Sequence, residues 1–132
     1  MFTGLVEEIG TVEKIINNST SAEICINCEK ILEEIKIGDS ICVNGICLTV
    51  KDFSSRSFSV DVMNETIKRS NLSNLKKNQN VNLERAMLNN GRFGGHIVTG
   101  HIDGCGRISY IKKDDIAVLF TIEASEKILN QI

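Results

Sequence analysis

The sequence has no apolar run that approaches the roughly eighteen residues of a membrane-spanning helix. Its first residues, Met1-Phe2-Thr3-Gly4, lack the basic and apolar segments of a secretory signal peptide. Basic residues are scattered along the chain and the formal net charge is −2, which argues against a nucleic-acid-binding surface. We therefore expect a cytoplasmic protein that binds neither membranes nor nucleic acid.

The pattern of the five cysteines favours neither a disulfide framework nor a zinc site. Their number is odd and the chain lacks an export signal, so we expect reduced thiols. The one CxxC, at Cys25 and Cys28, has no second CxxC, and neither histidine lies at the spacing of a zinc ligand. We interpret Cys25 and Cys28 as small apolar packing residues, with metal or redox chemistry as the alternative.

Two common catalytic motifs are missing as well. The glycines at 91–95 and 100–106 follow no strand-to-helix pattern of a phosphate-binding loop. No serine lies in a nucleophile elbow, so a serine hydrolase has no support.

Short runs of alternating apolar and polar residues dominate the sequence, and this pattern predicts antiparallel strands. The clearest hairpin surrounds Asn44-Gly45, a dipeptide that suits the two positive φ angles of a type I′ turn. The predicted strands cover residues 5–16, 22–28, 40–43, 46–50, 57–62 and 81–87. Residues 30–35 and the residues after Asn64-Glu65-Thr66 predict short helical pieces. Six short strands with few helices predict an all-β fold, a six-stranded closed barrel, with an open sandwich as the alternative.

The sequence repeats itself after a glycine-rich stretch. Residues 2–15 realign on residues 98–111 at an offset of 96 positions (99 − 3), so that Thr3-Gly4 falls on Thr99-Gly100. Residues 29–32 recur as 126–129 at an offset of 97 (126 − 29), and Ile35 matches Ile132. Such duplication indicates two copies of one unit. We predict a first barrel at residues 1–88, a linker at 89–96 and an incomplete second, related barrel at 97–132.

Alternation places a set of polar side chains on the outside of the predicted barrel. If the aliphatic residues fill the interior, then Cys47 and Thr49 face outward on one strand, and Ser59, Asp61 and Met63 do so on the next. This outer face offers a groove for a planar polar ring. The alternative is an ordinary solvated surface, with Glu65 and Thr66 satisfying backbone donors at a helix start.

The two histidines are five positions apart. An odd separation on a strand sends His96 and His101 to opposite faces, so they do not form a ligand pair. Either side chain is suited to acid or base catalysis near neutral pH. The alternative is that His96 belongs to the linker and His101 is a surface residue.

Five segments together resemble the riboflavin synthase α-chain family, and they occur in the family's order along nearly the whole chain. They are Met1-Phe2-Thr3-Gly4-Leu5-Val6-Glu7, Asn44-Gly45-Ile46-Cys47-Leu48-Thr49-Val50, Asp61-Val62-Met63-Asn64-Glu65-Thr66, Asn82-Leu83-Glu84-Arg85-Ala86 and Gly94-Gly95-His96-Ile97-Val98-Thr99-Gly100-His101.

The resemblance implies two homologous six-stranded Greek-key barrels followed by a C-terminal helix, assembled as a trimer. It implies the last step of riboflavin biosynthesis, in which one molecule of 6,7-dimethyl-8-ribityllumazine donates four carbons to another. The products are riboflavin and 5-amino-6-(ribitylamino)uracil, and no metal or organic cofactor is needed. In this family the active site lies between the first barrel of one subunit and the second barrel of its neighbour.

The resemblance also implies which residues contact the substrate. They are Gly4, Leu5 and Val6, then Cys47, Leu48 and Thr49, then Asp61, Val62, Met63, Asn64, Glu65 and Thr66, and finally Gly100, His101 and Ile102. We expect Leu48 and Val62 to contribute backbone atoms. Alternation and resemblance agree at Cys47, Thr49, Asp61 and Met63.

For catalysis, our hypothesis is that His101 assists removal of a proton from the 7-methyl group of one lumazine. Cys47 and Thr49 would position or attack the ring of the other, and Ser40 would lend a nearby hydroxyl. Two alternatives are a non-catalytic lumazine- or flavin-binding protein of the same fold and a flavin domain of a reductase. The reductase lacks support, because nothing in the sequence resembles a nicotinamide-binding domain.

Overall fold

The computed structural model describes residues 1–91 and 93–131 and divides into two compact units, Met1–Ile102 and Asp103–Ile132. Two residues used in the sequence analysis lie outside the described residues: Arg92 in the predicted linker, and Ile132, the match of Ile35. The first unit extends past the predicted boundaries at 88 and 96. The assignment of residues 97–132 to a second barrel stays a prediction.

The first unit is a closed barrel of six antiparallel strands in the order β1-β2-β5-β4-β3-β6. The strands are β1 (Glu8–Asn17), β2 (Ser21–Asn27), β3 (Ser40–Val43), β4 (Ile46–Phe53), β5 (Ser57–Met63) and β6 (Asn80–Arg85). Strands β3, β4 and β5 follow one another as a meander and β6 returns beside β3, which is the Greek-key arrangement. The predicted closed barrel is confirmed.

The core follows the predicted alternation. Ile24 and Ile26 of β2 and Val60 and Val62 of β5 are buried, while their neighbours along each strand are more exposed. The predicted strand bounds differ at the ends. β1 begins at Glu8 rather than Leu5. Before it, the Leu5 N–H donates to Thr3 Oγ1 instead of to a neighbouring strand, and the Glu7 N–H donates to the Leu83 carbonyl of β6.

The turn between β3 and β4 has the predicted conformation. Asn44 has φ of 49° and Gly45 has φ of 88°, so both central residues are left-handed as a type I′ turn requires. A Cβ atom on Gly45 would meet nothing within 4 Å. Glycine therefore serves this position through its backbone freedom alone.

Both predicted helical pieces are present, but the length of the first and the cap of the second differ from the prediction. The first piece is a 3₁₀ helix at Lys30–Leu32, and it stops short of Ile35 because Glu33 is extended and Glu34 takes φ of 62°. The second is the helix α1 (Asn64–Arg69), followed by a 3₁₀ helix at Asn71–Asn74. The cap of α1 is Met63, without a side-chain cap bond. The capping role of Glu65 and Thr66 is therefore wrong, and the Glu65 carboxylate accepts a hydrogen bond from Arg69 Nε at 2.6 Å.

The second unit is a hairpin of β7 (Arg107–Asp114) and β8 (Ala117–Glu123) followed by the short helix α2 (Glu126–Leu129). Every residue of both strands is exposed. The register of the hairpin shifts between Ile108 and Tyr110, and the register of β1 and β2 shifts between Val12 and Lys14, 96 positions earlier. None of the helices in residues 1–91 and 93–131 has the length and apolar character needed to span a bilayer.

Candidate functional site

A row of three polar side chains crosses the outside of the barrel. Cys42 of β3 lies opposite Glu84 of β6 on one side and opposite Cys47 of β4 on the other. Residues that lie opposite each other on neighbouring strands share one face of the sheet. The adjacent β3 residues Ile41 and Val43 belong to the core, so Glu84, Cys42 and Cys47 face outward.

Glu84, at one end of this row, is buried by the N-terminal segment. Its Oε1 accepts hydrogen bonds from the Thr3 backbone N–H at 2.6 Å and from the Thr3 hydroxyl at 2.8 Å. The Gly4 N–H donates to both carboxylate oxygens, at 3.2 and 3.1 Å. Because these bonds satisfy a charge that is only 6% exposed, Glu84 fixes the path of Thr3-Gly4 across the barrel.

Cys47, at the other end of the row, is in contact with Gly100. The Cys47 N–H donates to the Gly100 carbonyl at 2.9 Å. Gly100 has φ of 77°, and a Cβ atom there would lie 2.8 Å from both Cys47 N and Cys47 Cβ. Only glycine fits this close approach. The next residue, His101, is exposed, and its N–H donates to Thr99 Oγ1 at 3.3 Å.

Three of the four predicted catalytic residues share one face. Ser40 lies opposite Thr49, two residues along from the Cys42 and Cys47 pair, so all four side chains project from the same side of β3 and β4. His101 follows Gly100, the residue that contacts Cys47. The structure thus brings Ser40, Cys47 and Thr49 together, and their catalytic roles stay predictions.

Asp61 takes part in an ion-pair network that alternation did not reveal. The Lys51 ammonium donates to Asp61 Oδ1 at 3.1 Å and also to the Glu23 carboxylate. These bonds, the one to Glu23 first, raise the pKa of Lys51 above its ordinary value. The register of β4 against β5 shifts between Val50 and Asp52, so Lys51 sits at an irregularity of the ladder. In the sequence, the one feature that pointed to Lys51 is that alternation places it on the same outward face as Cys47 and Thr49.

The predicted contacts at the end of β5 differ in exposure. Met63 is exposed, whereas Val62 is buried, as is Leu48 of β4, so these two have only backbone atoms to offer a ligand on the outer face. The Asn64 amide nitrogen donates to the Ser19 carbonyl at 3.2 Å. Thr66 is half-buried, and its carbonyl accepts from the Ser70 hydroxyl at 2.6 Å.

The predicted contacts near the N-terminus lie against Glu84 and His96. Gly4 has φ of 81°, and a Cβ atom there would lie 2.8 Å from His96 Cε1. The His96 N–H donates to the Thr3 carbonyl at 3.0 Å. Leu5 and Val6 are both 53% exposed, so their apolar side chains are open to a ligand or to another chain.

A cleft of about 1000 Å³ lies between the N-terminal segment, β3 and the end of β6. Leu5 and Ser40 line it, together with an ion pair in which Arg85 Nη2 lies 2.7 Å from Glu7 Oε2. Burial raises the pKa of Glu7, but hydrogen bonds from the Arg85 side chain and backbone outweigh it and leave the pKa below its ordinary value. In the described part of the chain, no group of three or more His, Cys, Asp or Glu residues is placed to hold a metal ion.

The comparison with protein families matches residues 3–86 to the lumazine binding domain. A riboflavin synthase of Actinobacillus pleuropneumoniae is 50% identical over 132 residues, which cover 100% of this chain and 61% of that protein. A riboflavin synthase of Bacillus subtilis is 51% identical over 123 residues, or 93% of this chain and 57% of the relative. The chain thus spans about three fifths of the length of these curated relatives.

Solved structures of LumP have the same fold. LumP complexed with riboflavin superimposes with a TM-score of 0.89 and 27% identity, over 100% of this chain and 72% of LumP. LumP complexed with 6,7-dimethyl-8-(1′-D-ribityl) lumazine gives a TM-score of 0.85 and 28% identity, over 96% of this chain and 70% of LumP.

Proposed function

The chain belongs to the lumazine-binding domain family, and from this membership we propose that its barrel binds 6,7-dimethyl-8-ribityllumazine on the outer face that carries Cys47, Thr49 and Asp61. The matched region, residues 3–86, contains all three residues. LumP, which has the same fold, was crystallised with this lumazine. The observation that carries the proposal is the joint outward placement of Ser40, Cys47 and Thr49 beside Gly100.

We further propose that the chain is the N-terminal part of a riboflavin synthase. In this reaction one lumazine donates four carbons to a second, which yields riboflavin and 5-amino-6-(ribitylamino)uracil. The support is about 50% identity to riboflavin synthases over the whole chain. The non-catalytic alternative is less well supported, because LumP is only 27–28% identical.

The location of each group supports the role proposed for it. The Cys47 thiol and the Thr49 hydroxyl face the ligand side by side, so they position or attack the ring, and Ser40 adds a second hydroxyl opposite Thr49. His101 is exposed one residue beyond the Gly100 contact and accepts the methyl proton. Holding two lumazines face to face would supply much of the rate acceleration.

The second substrate site belongs, in this proposal, to a second barrel that begins in residues 97–132. Local geometry supports such a duplication. A Cβ atom on Gly10 would meet Ile26 Cγ2 at 2.8 Å and the Asn27 carbonyl at 3.1 Å. A Cβ atom on Gly106 would meet Ile122 Cγ2 at 2.9 Å and the Glu123 carbonyl at 3.1 Å. Ile122 and Glu123 lie 96 positions after Ile26 and Asn27, as Gly106 lies 96 positions after Gly10. The two hairpins therefore have equivalent contacts at this glycine.

The resemblance further leads us to propose a trimer for the longer protein, in which the first barrel of one subunit faces the second barrel of a neighbour. We also propose a cytoplasmic location, since Cys25, Cys28, Cys42 and Cys47 are reduced thiols, as is usual in a reducing compartment.

Titration of the chain with 6,7-dimethyl-8-ribityllumazine tests the proposal. We expect saturable binding, followed by ligand fluorescence, and weaker binding for Cys47→Ser than for the matched control Cys28→Ser. Absorbance of riboflavin in the same samples reports turnover. Absence of binding by a folded chain, or equal affinities of the two variants, would contradict the proposed site.

A further inference from the structure

Cys42 and Cys47 lie directly opposite each other on β3 and β4, the two strands that the turn at Asn44-Gly45 joins. The Cys47 N–H donates to Gly100 rather than to β3, whereas the Val50 N–H donates to the Asp39 carbonyl on the β3 side. Cys42 and Cys47 therefore occupy a non-hydrogen-bonded position of the ladder, at which opposite side chains come closest.

The geometry of this position suits a disulfide bond. Opposite residues at non-hydrogen-bonded positions have Cα atoms about 4.5 Å apart, and disulfides span Cα separations of about 4.4–6.8 Å. Both side chains project from the same outer face, away from the core to which Ile41, Val43 and Leu48 belong. Both thiols are free in this structure.

The two thiols differ in accessibility. Cys47 is half-buried, whereas Cys42 is 5% exposed. Burial, with the nearby Glu84 charge second, raises the pKa of Cys42 to about 11. Cys47 is therefore the thiol that meets a reagent from solvent first, and Cys42 is the thiol held beside it.

We propose that Cys42 and Cys47 form a thiol–disulfide modification site that a low-molecular-weight disulfide oxidises to a cross-strand bond. The Cys47 thiolate attacks one sulfur of the oxidant and displaces its first thiolate. Cys42 then loses its proton to solvent, and its sulfur attacks Cys47 Sγ and releases the second thiol. The two cysteines lose two electrons and two protons, and the oxidant is reduced to two thiols.

This modification removes the free Cys47 thiol from the outer face. That consequence rests on the proposed function, because it concerns the face on which lumazine is proposed to bind. The modification itself rests only on the pairing of the two strands.

Cys25 and Cys28 provide a matched comparison within the same chain. Cys25 lies on β2, and its thiol contacts the Glu13 carboxylate at 3.4 Å. Cys28 follows the end of β2, and an odd separation along an extended chain sends the two side chains to opposite sides. Burial raises the pKa of Cys28 to about 12. This pair is close in sequence but is not placed to form a bond.

Peptide mapping after treatment with oxidised glutathione tests the proposal without any ligand. Free thiols are alkylated in denaturant and the chain is cut with trypsin, which leaves Cys42 and Cys47 together in residues 37–51 and Cys25 and Cys28 together in residues 15–30. We expect peptide 37–51 to be lighter by two hydrogens and unalkylated, and peptide 15–30 to carry two alkyl groups. Dithiothreitol should restore alkylation of both Cys42 and Cys47.

The variant Cys42→Ala tests the order of the steps. Without the second thiol, glutathione should remain attached to Cys47, an adduct that does not accumulate in the natural chain. Alkylation of both cysteines in peptide 37–51, or a bond between Cys25 and Cys28 instead, overturns the proposal.

Lumazine titration of the oxidised chain is a separate experiment. We expect its affinity to be at least tenfold weaker than that of the reduced chain and to be restored by dithiothreitol. If the reduced chain also fails to bind, the proposed function fails while the mapping result stands.

Discussion

At the scale of single residues, the outer face depends on short hydrogen bonds between the barrel strands and the segments that cross them. The Glu84 carboxylate holds Thr3 and Gly4 by four contacts of 2.6–3.2 Å, and the Gly100 carbonyl holds Cys47 at 2.9 Å. Each contact fixes a backbone segment that carries proposed ligand contacts. Their loss should therefore change both the stability of the barrel and the shape of the face.

Glu84→Gln should lower the free energy of unfolding by roughly 1–3 kcal/mol, because an amide replaces one carboxylate oxygen with a donor that faces the N–H groups of Thr3 and Gly4. Urea denaturation followed by circular dichroism measures this loss. The control is Glu29→Gln, at an exposed carboxylate, which should leave the midpoint unchanged. Equal midpoints for both variants would show that the buried carboxylate contributes nothing.

Gly100→Ala and Gly45→Ala separate steric clash from backbone strain. Both positions have positive φ, which costs an alanine about 1 kcal/mol, but only at Gly100 would the new Cβ atom meet Cys47 at 2.8 Å. We expect Gly100→Ala to lose a further ~1–3 kcal/mol in urea denaturation and to weaken lumazine binding. Gly45→Ala should retain its lumazine affinity; similar losses in the two variants would argue against the close packing.

At the scale of elements, the sequence predicts the features that residues close together in the chain determine. Alternation along β2, β4 and β5 identified the buried face, and Asn44-Gly45 identified the hairpin turn, since both signals are local. The contact of Glu84 with Thr3 joins residues 81 positions apart and has no local signature. The ion pairs of Lys51 have no local signature either, because its partners Glu23 and Asp61 come from two other strands.

The ion pair of Glu7 with Arg85 ties the segment before β1 to β6, and its effect should depend on pH. The pKa of Glu7 is lowered on folding, so its contribution is fully present above the ordinary value of 4.5 and is lost as the pH falls through the folded value. We expect Glu7→Gln to reduce the free energy of unfolding at pH 7 and to have a smaller effect at pH 3. Urea denaturation at both pH values measures this, and an equal effect at both would contradict the assignment.

At the scale of the whole molecule, the two units differ in how much they bury. The barrel encloses a core of buried aliphatic and aromatic side chains, whereas all residues of β7 and β8 are exposed. A lone two-stranded hairpin is marginally stable in water. We expect hydrogen exchange to show strong protection for the amides of β1–β6 and exchange that is at least a hundredfold faster in β7 and β8. Equal protection would mean that the hairpin is covered, for instance by another chain.

Closure of the barrel also bears on how quickly it forms. The pairing of β1 with β6 joins Glu8 to Leu83, across 75 steps of the chain (83 − 8). Such long-range contacts must be made against the entropy of a large loop, and barrels of this kind typically fold in milliseconds to seconds. The sequence contains no proline, so slow prolyl isomerisation adds no phase of tens of seconds. We therefore expect the encounter of the first strand with the last to set the time needed to fold.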